Sequence, residues 1–164
     1  CNPAIKTAED REAVWRGVIN GNIDVIATDH APHTWEEKSG VYPNCPAGVP
    51  LIQHTLLMML EHVRNGRISM EMMVDKMSHK VAELFDIKDR GYIREGYFAD
   101  LVLVNPNKNY KVTKENIAYK CGWSPFEGYS FSNSIDYTFV NGIVMQKFGE
   151  IQNDIRGKRL KFNR

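Results

Sequence analysis

Residues 23–28 form the segment that most restricts how this chain can fold. Their sequence, Ile-Asp-Val-Ile-Ala-Thr, is mostly apolar and rich in β-branched residues, which is typical of a strand buried on both faces. Asp29, His30 and His33 follow at once, together with a proline that a helix interior would not accept. Parallel β/α folds present catalytic groups in this way, just beyond the last apolar residue of a strand. We therefore expect a buried parallel strand with a candidate site at its C-terminal end.

The segments around this strand have the patterns of helices. Residues 7–10 resemble a capping box, which predicts a helix that begins there and ends before Gly21. Residues 51–63 carry apolar side chains at helical spacing. Residues 70–85 predict one or two further helices, with Ser78 as the cap between them. The first half of the chain thus reads as β/α units.

The pattern changes near residue 88, where turn residues begin to separate short apolar runs. Asn141-Gly142 lies between two such runs and predicts a hairpin, because a type I′ turn needs positive φ at both central residues. We place a domain boundary there, with β/α units over residues 1–87 and a small all-β domain and tail over residues 88–164.

Charge and cysteine content narrow the classes of function. The formal net charge is +1, so neither nucleic acid nor an anionic membrane is an expected partner. The 3 cysteines lack paired spacing, which favours a reducing compartment, and Cys45 is interpreted as an incidental loop residue. No apolar run approaches the ~20 residues of a membrane span, and no charged start followed by an apolar core predicts a secretion signal. We expect a cytoplasmic protein.

The cluster that follows residues 23–28 has two interpretations. A carboxylate and two imidazoles suit a zinc site, and a carboxylate beside a metal can move protons. The spacing Asp-His-x-x-His alone is weak evidence, because a helix cap followed by two solvent-exposed histidines would have the same sequence. Its position at the end of a predicted strand favours the catalytic interpretation.

Several motifs, in order along the chain, resemble class I dihydroorotases of the amidohydrolase superfamily. The most specific runs from Val-Ile-Ala-Thr-Asp-His-Ala-Pro-His-Thr at residues 25–34 to Glu-Glu-Lys at residues 36–38. Residues 1–6 are similar to the family's Asn-Pro-Pro stretch, with Ala4 and Lys6 as departures. Further similar segments are Pro46-Ala47-Gly48, residues 82–85, residues 91–104, residues 124–129 and residues 140–142. The resemblance implies the C-terminal β/α units of a metal-dependent-hydrolase (β/α)8 barrel, followed by a small β-sandwich-type domain.

The resemblance also implies a reaction for Asp29. In the family this aspartate lies at a zinc centre, as a ligand and as the general base beside a metal-activated hydroxide. The intact enzyme interconverts N-carbamoyl-L-aspartate and (S)-dihydroorotate in de novo pyrimidine biosynthesis. The family's other zinc ligands have no candidates here, since His54, His62 and His79 fall in predicted helices as surface or satisfied residues. We therefore expect part of a longer enzyme, which alone binds zinc weakly or not at all and is inactive.

The remaining site residues follow from the same resemblance. Asn2 and His33 match positions that hold the substrate, with His33 near its free carboxylate. Ala47 and Gly48 match backbone contacts to the ring amide. His30 is expected to support the site without binding the metal.

Several alternatives stay open. The enzyme could be a dihydropyrimidinase or an allantoinase, but His33 favours a substrate with a free carboxylate. The protein could be an inactive dihydroorotase-like scaffold for aspartate transcarbamoylase, but a scaffold has no use for Asp29, His33 and Asn2. It could also be a self-sufficient binding module, which the unpaired edges of the predicted strand disfavour. Besides the small-molecule substrate, the expected partners are a second copy in a homodimer and aspartate transcarbamoylase.

Overall fold

The computed structural model describes residues 3–152 and 157–163 of the chain. The helices are α1 (Ala8–Ile19), α2 (Trp35–Lys38), α3 (Thr55–Arg64), α4 (Met70–Val74) and α5 (Lys80–Leu84). The strands are β1 (Leu101–Asn105), β2 (Tyr110–Lys111), β3 (Ser130–Phe131), β4 (Ser134–Val140), β5 (Ile143–Lys147) and β6 (Glu150–Ile151). A π-helical turn over Asp75–His79 joins α4 to α5, and a 3-10 turn over Lys114–Asn116 follows β2. None of the helices within the described ranges is long and apolar enough to cross a membrane.

The beginning of α1 follows from its local sequence. Thr7 Oγ1 accepts a hydrogen bond from Asp10 N at 3.0 Å, and Asp10 Oδ2 accepts one from Thr7 N at 3.0 Å. This reciprocal pair satisfies two backbone donors that have no partner within the first helical turn. The predicted capping box and helix are confirmed.

Residues 23–28 have no regular secondary structure and therefore do not form the predicted strand. Ile26 N donates to the Lys76 carbonyl oxygen at 3.1 Å, which ties the segment to the π-helical turn. The nearest sheet-like pairing is a single parallel bridge between His30 and Val49. A parallel strand exists only through hydrogen bonds to strands beside it, and the described part of the chain supplies no such neighbours here. The prediction of a strand buried on both faces is wrong for this structure.

Residues 70–84 form one continuous helical segment, and Ser78 caps nothing within it. Ser69 is the N-cap at its start. The middle of the segment is π-helical, with the backbone N–H of Lys80 donating to the Asp75 carbonyl oxygen. A serine acts as a cap only where backbone N–H groups lack intrahelical partners, and here the helix continues through Ser78. The predicted cap at Ser78 is therefore wrong.

The second half of the chain is an antiparallel β structure. The main sheet has four strands in the order β1-β4-β5-β6, and β2 pairs separately with β3. The β4–β5 turn has φ of +54° at Asn141 and +79° at Gly142, as the predicted hairpin requires. Its prediction is confirmed. The β-sandwich stays a prediction, since the described strands form one four-stranded sheet and one short pair.

Two apolar clusters meet on α3. The first contains Val18, Met59, Leu60, Ile68 and Met73. The second contains Leu57, Val112 and Phe131. Burying side chains of this size contributes about 1.5–3 kcal/mol each. Because α3 supplies residues to both clusters, it fastens the helical half to the β half, and the domain boundary at residue 88 stays a prediction.

Arg90 connects the loop before β1 to the β4–β5 hairpin. Its guanidinium pairs with the Asp100 carboxylate and donates to Asn141 Oδ1 at 2.7 Å. Asp100 Oδ1 in turn accepts from Asn141 N at 2.7 Å. The Arg90 side chain is only 9% exposed, so its charge depends on this carboxylate for compensation.

Candidate active site

Asp29 directly follows residues 23–28 and has an unusual backbone conformation. Its φ is +45°, in the left-handed region that aspartate and asparagine tolerate better than most residues. The residue is exposed, and no hydrogen bond from within residues 3–152 or 157–163 reaches its carboxylate. A carboxylate within hydrogen-bond reach of a substrate's proton can act as a general base.

His30 fastens this turn to the loop before α3. Its Nδ1 accepts a hydrogen bond from Leu51 N at 3.0 Å, so that nitrogen carries no proton and cannot also bind a metal. Ala31 N donates to the Val49 carbonyl oxygen at 3.1 Å beside it. The His30 ring also lies against Tyr119, with centroids 5.3 Å apart. His30 therefore positions backbone, as a supporting residue would.

His33 is half-buried at the start of α2. Its Nδ1 lies 3.3 Å from Glu37 Oε2, within an ion pair when the imidazole is protonated. Thr34 and Glu37 form a capping box that the sequence reading missed. The His33 carbonyl oxygen accepts a hydrogen bond from Trp123 Nε1 at 2.8 Å. Residues from both halves of the chain therefore fix this histidine.

The turn at residues 46–48 packs closely on the Asp29–His33 loop. Gly48 is buried with φ of +95°, and a Cβ placed on it would lie 2.5 Å from the Ala31 Cβ. Ala47 is exposed beside it. Lys38 Nζ donates to the Pro46 carbonyl oxygen at 2.6 Å, closing the loop between them. The structure thus brings the loop of Asp29 and His33 beside that of Ala47 and Gly48, whereas Asn2 lies outside the described residues.

The donor set here does not complete a zinc site. Among the described residues, no group of three or more His, Cys, Asp or Glu side chains is placed to hold a metal ion. Asp29 offers one carboxylate and His33 one ring nitrogen, Nε2, since its Nδ1 faces Glu37, while the hydrogen bond from Leu51 N occupies Nδ1 of His30. Structural zinc sites use four protein ligands and catalytic sites three. The residues present therefore do not fit zinc by themselves.

The other three histidines are involved in separate packing. His62 meets the Trp15 ring edge-on with centroids 4.7 Å apart, and His79 stacks on Tyr92 at 4.2 Å. His54 differs from the prediction, because it precedes α3 and is fully buried. Its Nε2 has no hydrogen-bond partner among the described residues, so it is neither a surface residue nor fully satisfied.

A buried polar network around His54 was missing from the sequence reading. His54 Nδ1 lies 3.1 Å from Ser124 Oγ and 3.3 Å from the Tyr119 hydroxyl. The Tyr119 hydroxyl also accepts from Gln53 N at 2.9 Å. Burial lowers the pKa of His54 from 6.5 to about 4, so the imidazole is neutral near pH 7. The partners lie 65 and 70 residues from His54 in sequence, so no local pattern could have revealed this network.

Comparison with curated proteins finds dihydroorotases over most of the chain. The dihydroorotase of Endomicrobium trichonymphae is 36% identical over 145 residues, which are 88% of this chain and 34% of that protein. The dihydroorotase of Halobacterium salinarum is 37% identical over 128 residues, which are 78% of this chain and 30% of that protein. The resemblance to dihydroorotases is confirmed. The chain spans about a third of the length of these relatives.

Comparison with solved structures finds hydantoinases. A D-hydantoinase (dihydropyrimidinase) from Thermus sp. has a TM-score of 0.84 at 26% identity, covering 92% of this chain and 34% of that one. An L-hydantoinase (dihydropyrimidinase) from Arthrobacter aurescens has a TM-score of 0.83 at 30% identity, with the same coverage. The chain therefore has the fold of the corresponding part of these hydrolases, while the (β/α)8 barrel stays a prediction.

A protein-family model also matches most of the chain. The Amidohydrolase family model matches residues 2–145, which include the Asp29–His33 loop, the turn before α3 and the strands through most of β5. With this match over most of its length, the chain belongs to the amidohydrolase family.

Proposed function

We propose that this chain carries the general base and one wall of the substrate pocket of a dihydroorotase. The observation that carries the proposal is the placement of Asp29, whose exposed carboxylate lies on a loop fastened by His30 and packed on Gly48. The dihydroorotases at 36% and 37% identity support the choice of reaction. The proposed enzyme interconverts N-carbamoyl-L-aspartate and dihydroorotate in pyrimidine biosynthesis.

Ring opening requires a proton to travel from water to the departing ring nitrogen. Asp29 accepts the proton from water as the new C–O bond forms at the ring carbonyl carbon. It then donates that proton to the nitrogen as the C–N bond breaks. In ring closure Asp29 removes a proton from the carbamoyl nitrogen as that nitrogen attacks the carbon of the protonated carboxyl group. Asp29 then donates this proton to the departing hydroxyl, which leaves as water. One carboxylate can serve both directions, because in each direction it begins ionised, takes up one proton and then gives that proton back.

The substrate is held by residues around Asp29. The His33 imidazole, supported by Glu37 at 3.3 Å, is the proposed partner of the substrate's free carboxylate. The backbone of Ala47 and Gly48 is proposed to contact the ring amide. Asn2 belongs to the same proposal, although it lies outside the described residues.

Zinc dependence remains a proposal for a longer protein. The described residues supply the Asp29 carboxylate but no converging set of further ligands. The proton transfers assigned to Asp29 are therefore derived without any step through a metal. A homodimer, contact with aspartate transcarbamoylase and a cytoplasmic location are likewise predictions.

A dihydropyrimidinase-type activity is the second candidate. The structural similarity to two dihydropyrimidinases, at TM-scores of 0.84 and 0.83, favours it. The two candidates differ in the substrate, because dihydroorotate carries a free carboxylate and dihydrouracil does not. Turnover of both compounds by one preparation distinguishes them, and the dihydroorotase proposal requires a clear preference for dihydroorotate.

The test uses an enzyme of the relatives' full length that contains this chain. Asp29→Ala is expected to abolish turnover in both directions, whereas His33→Ala raises KM for dihydroorotate with a smaller effect on kcat. Asp24→Ala is the matched control, since Asp24 is an exposed aspartate five residues earlier in the chain. Near-normal turnover of Asp29→Ala would show that the proposed mechanism is wrong.

A further inference from the structure

Trp123 reaches the candidate site from the β half of the chain. Its indole Nε1 donates to the His33 carbonyl oxygen at 2.8 Å, across 90 residues of sequence. Its ring also meets the edge of Trp35, with centroids 5.6 Å apart and planes at 74°. Trp123 therefore contacts both the peptide between His33 and Thr34 and the Trp35 side chain that follows it.

That peptide is held from both of its polar ends. Its carbonyl oxygen accepts from Trp123, and its N–H, from Thr34, donates to Glu37 Oε2 at 2.9 Å. The same Oε2 lies 3.3 Å from His33 Nδ1. Trp123, the peptide, Glu37 and the imidazole thus form one connected chain of contacts, so a displaced peptide would carry the imidazole with it.

Trp123 is itself firmly anchored. The next residue, Ser124, is 6% exposed and its Oγ lies 3.1 Å from His54 Nδ1. Tyr119, four residues earlier, is 9% exposed and accepts from Gln53 N at 2.9 Å. The segment from Tyr119 to Ser124 is therefore fixed to the start of α3, and Trp123 projects from a rigid base.

We propose that Trp123 is a positioning residue for His33, which sets the imidazole at the angle needed to hold the substrate's carboxylate. The inference rests on the proposed function and adds a residue from the β half of the chain to the substrate pocket. A hydrogen-bonded indole is suited to this task, because its N–H points in one fixed direction and its ring packs against Trp35.

The experiment is a double-mutant cycle in the full-length enzyme. Trp123→Phe keeps an aromatic ring beside Trp35 but removes the N–H. Loss of one hydrogen bond is expected to raise KM for dihydroorotate about fivefold, with kcat nearly unchanged. In a His33→Ala background, Trp123→Phe should raise KM no further, because its effect passes through His33. Trp15→Phe, against His62 and Arg67, is the matched control and should leave KM unchanged.

The outcomes separate the inference from the function on which it rests. If His33→Ala raises KM but Trp123→Phe does not, or if the two effects on KM multiply, Trp123 does not act through His33 and the inference is overturned. If His33→Ala leaves KM unchanged, the substrate role of His33 is wrong and the inference falls with it. Should Trp123→Phe fold poorly, Glu37→Gln tests the other end of the same contact chain. It should raise KM in the wild-type background and have no effect on KM in the His33→Ala background.

Discussion

The Nδ1 atom of His54 lies 3.1 Å from the Ser124 hydroxyl, inside the layer that joins α3 to the β half. The ring is fully buried, stacked with Phe131 and edge-on to Tyr119 and Phe126. The Ser124 hydroxyl can satisfy Nδ1 of a neutral imidazole, but a charged imidazolium would lose its hydration here without gaining a carboxylate partner. Burial accordingly lowers the pKa of His54 from 6.5 to about 4.

The first prediction concerns stability in weak acid. The unfolded chain binds a proton at His54 below pH 6.5, while the folded chain does so only near pH 4. The free energy of unfolding should therefore fall as the pH drops from 6.5 to about 4, by a contribution on the order of 3 kcal/mol. The pKa of His62 is lowered by burial and then by the Arg67 charge, so it adds to the same trend.

Urea unfolding at several pH values measures this trend. His54→Phe should be less stable than the wild type near pH 7, because Ser124 and Tyr119 lose their partner. Its free energy of unfolding should decline much less between pH 6.5 and 4. Parallel curves for the two proteins would show that His54 is not the titrating group.

The second prediction concerns Glu61 on α3. Its carboxylate accepts hydrogen bonds from Ser132 N at 2.6 Å, Ser132 Oγ at 2.7 Å and Asn133 Nδ2 at 2.8 Å. Burial alone would raise the pKa of Glu61, but the hydrogen bonds from Ser132 and Asn133 outweigh it and lower the pKa. The ionised Glu61 carboxylate stabilises the folded state through these hydrogen bonds. The stabilisation is present above pH 4.5 and is lost as the pH falls through the lowered pKa of Glu61 in the folded state.

Glu61→Gln should therefore reduce the free energy of unfolding by about 1–2 kcal/mol at pH 7, since solvent reaches part of the site. The difference from the wild type should shrink below pH 4.5. Glu71→Gln changes an exposed glutamate on α4 and is expected to cost less than about 0.5 kcal/mol. Equal effects of the two substitutions at pH 7 would contradict the assigned role of Glu61.

The third prediction tests the Arg90–Asp100 pair. Asp100→Asn removes the negative charge beside the Arg90 guanidinium. The Arg90 side chain is 9% exposed, and the Asp100 side chain is 33% exposed. Breaking a buried pair costs about 3–5 kcal/mol, and this partial exposure reduces the expected loss to about 2 kcal/mol. Thermal or urea unfolding measures it, with Asp24→Asn as an exposed control. A loss no larger than that of the control would mean that Arg90 needs no carboxylate.

The sequence predicts a structural feature when the residues that form it lie close together along the chain. The capping box of Thr7 and Asp10 and the turn at Asn141 and Gly142 are complete within four residues, so a local pattern contains all the information. The β-branched run at residues 23–28 predicts a strand equally well, but a strand also needs neighbours, which no local pattern supplies.

In the candidate site, too, a local sequence pattern predicts some of the residues and not others. Asp29 and His33 stand out from their position after an apolar run, although their roles stay predictions. Trp123 carries no comparable signal, because its contact with His33 spans 90 residues and depends on how the two halves pack. The buried position of His54 is equally non-local, since its polar partners belong to a segment 65 to 70 residues away.

Two loops of the candidate site touch at Gly48. With φ of +95° and a hypothetical Cβ only 2.5 Å from the Ala31 Cβ, alanine at this position must push the loops apart. The hydrogen bond from Ala31 N to the Val49 carbonyl oxygen, now 3.1 Å, would lengthen, and Asp29 would move relative to the substrate contacts proposed for residue 48. Displacements near 1 Å at a reacting centre can cost about 100-fold in rate. Gly48→Ala in the full-length enzyme should therefore lower kcat/KM for dihydroorotate by at least tenfold.

Gly21→Ala is the matched control, because Gly21 has φ of +81° and open space around its Cβ position. It should cost about 1 kcal/mol of stability from backbone strain alone and leave kcat/KM unchanged. If both variants lost only stability, the close approach of the loops would serve folding and not the placement of Asp29.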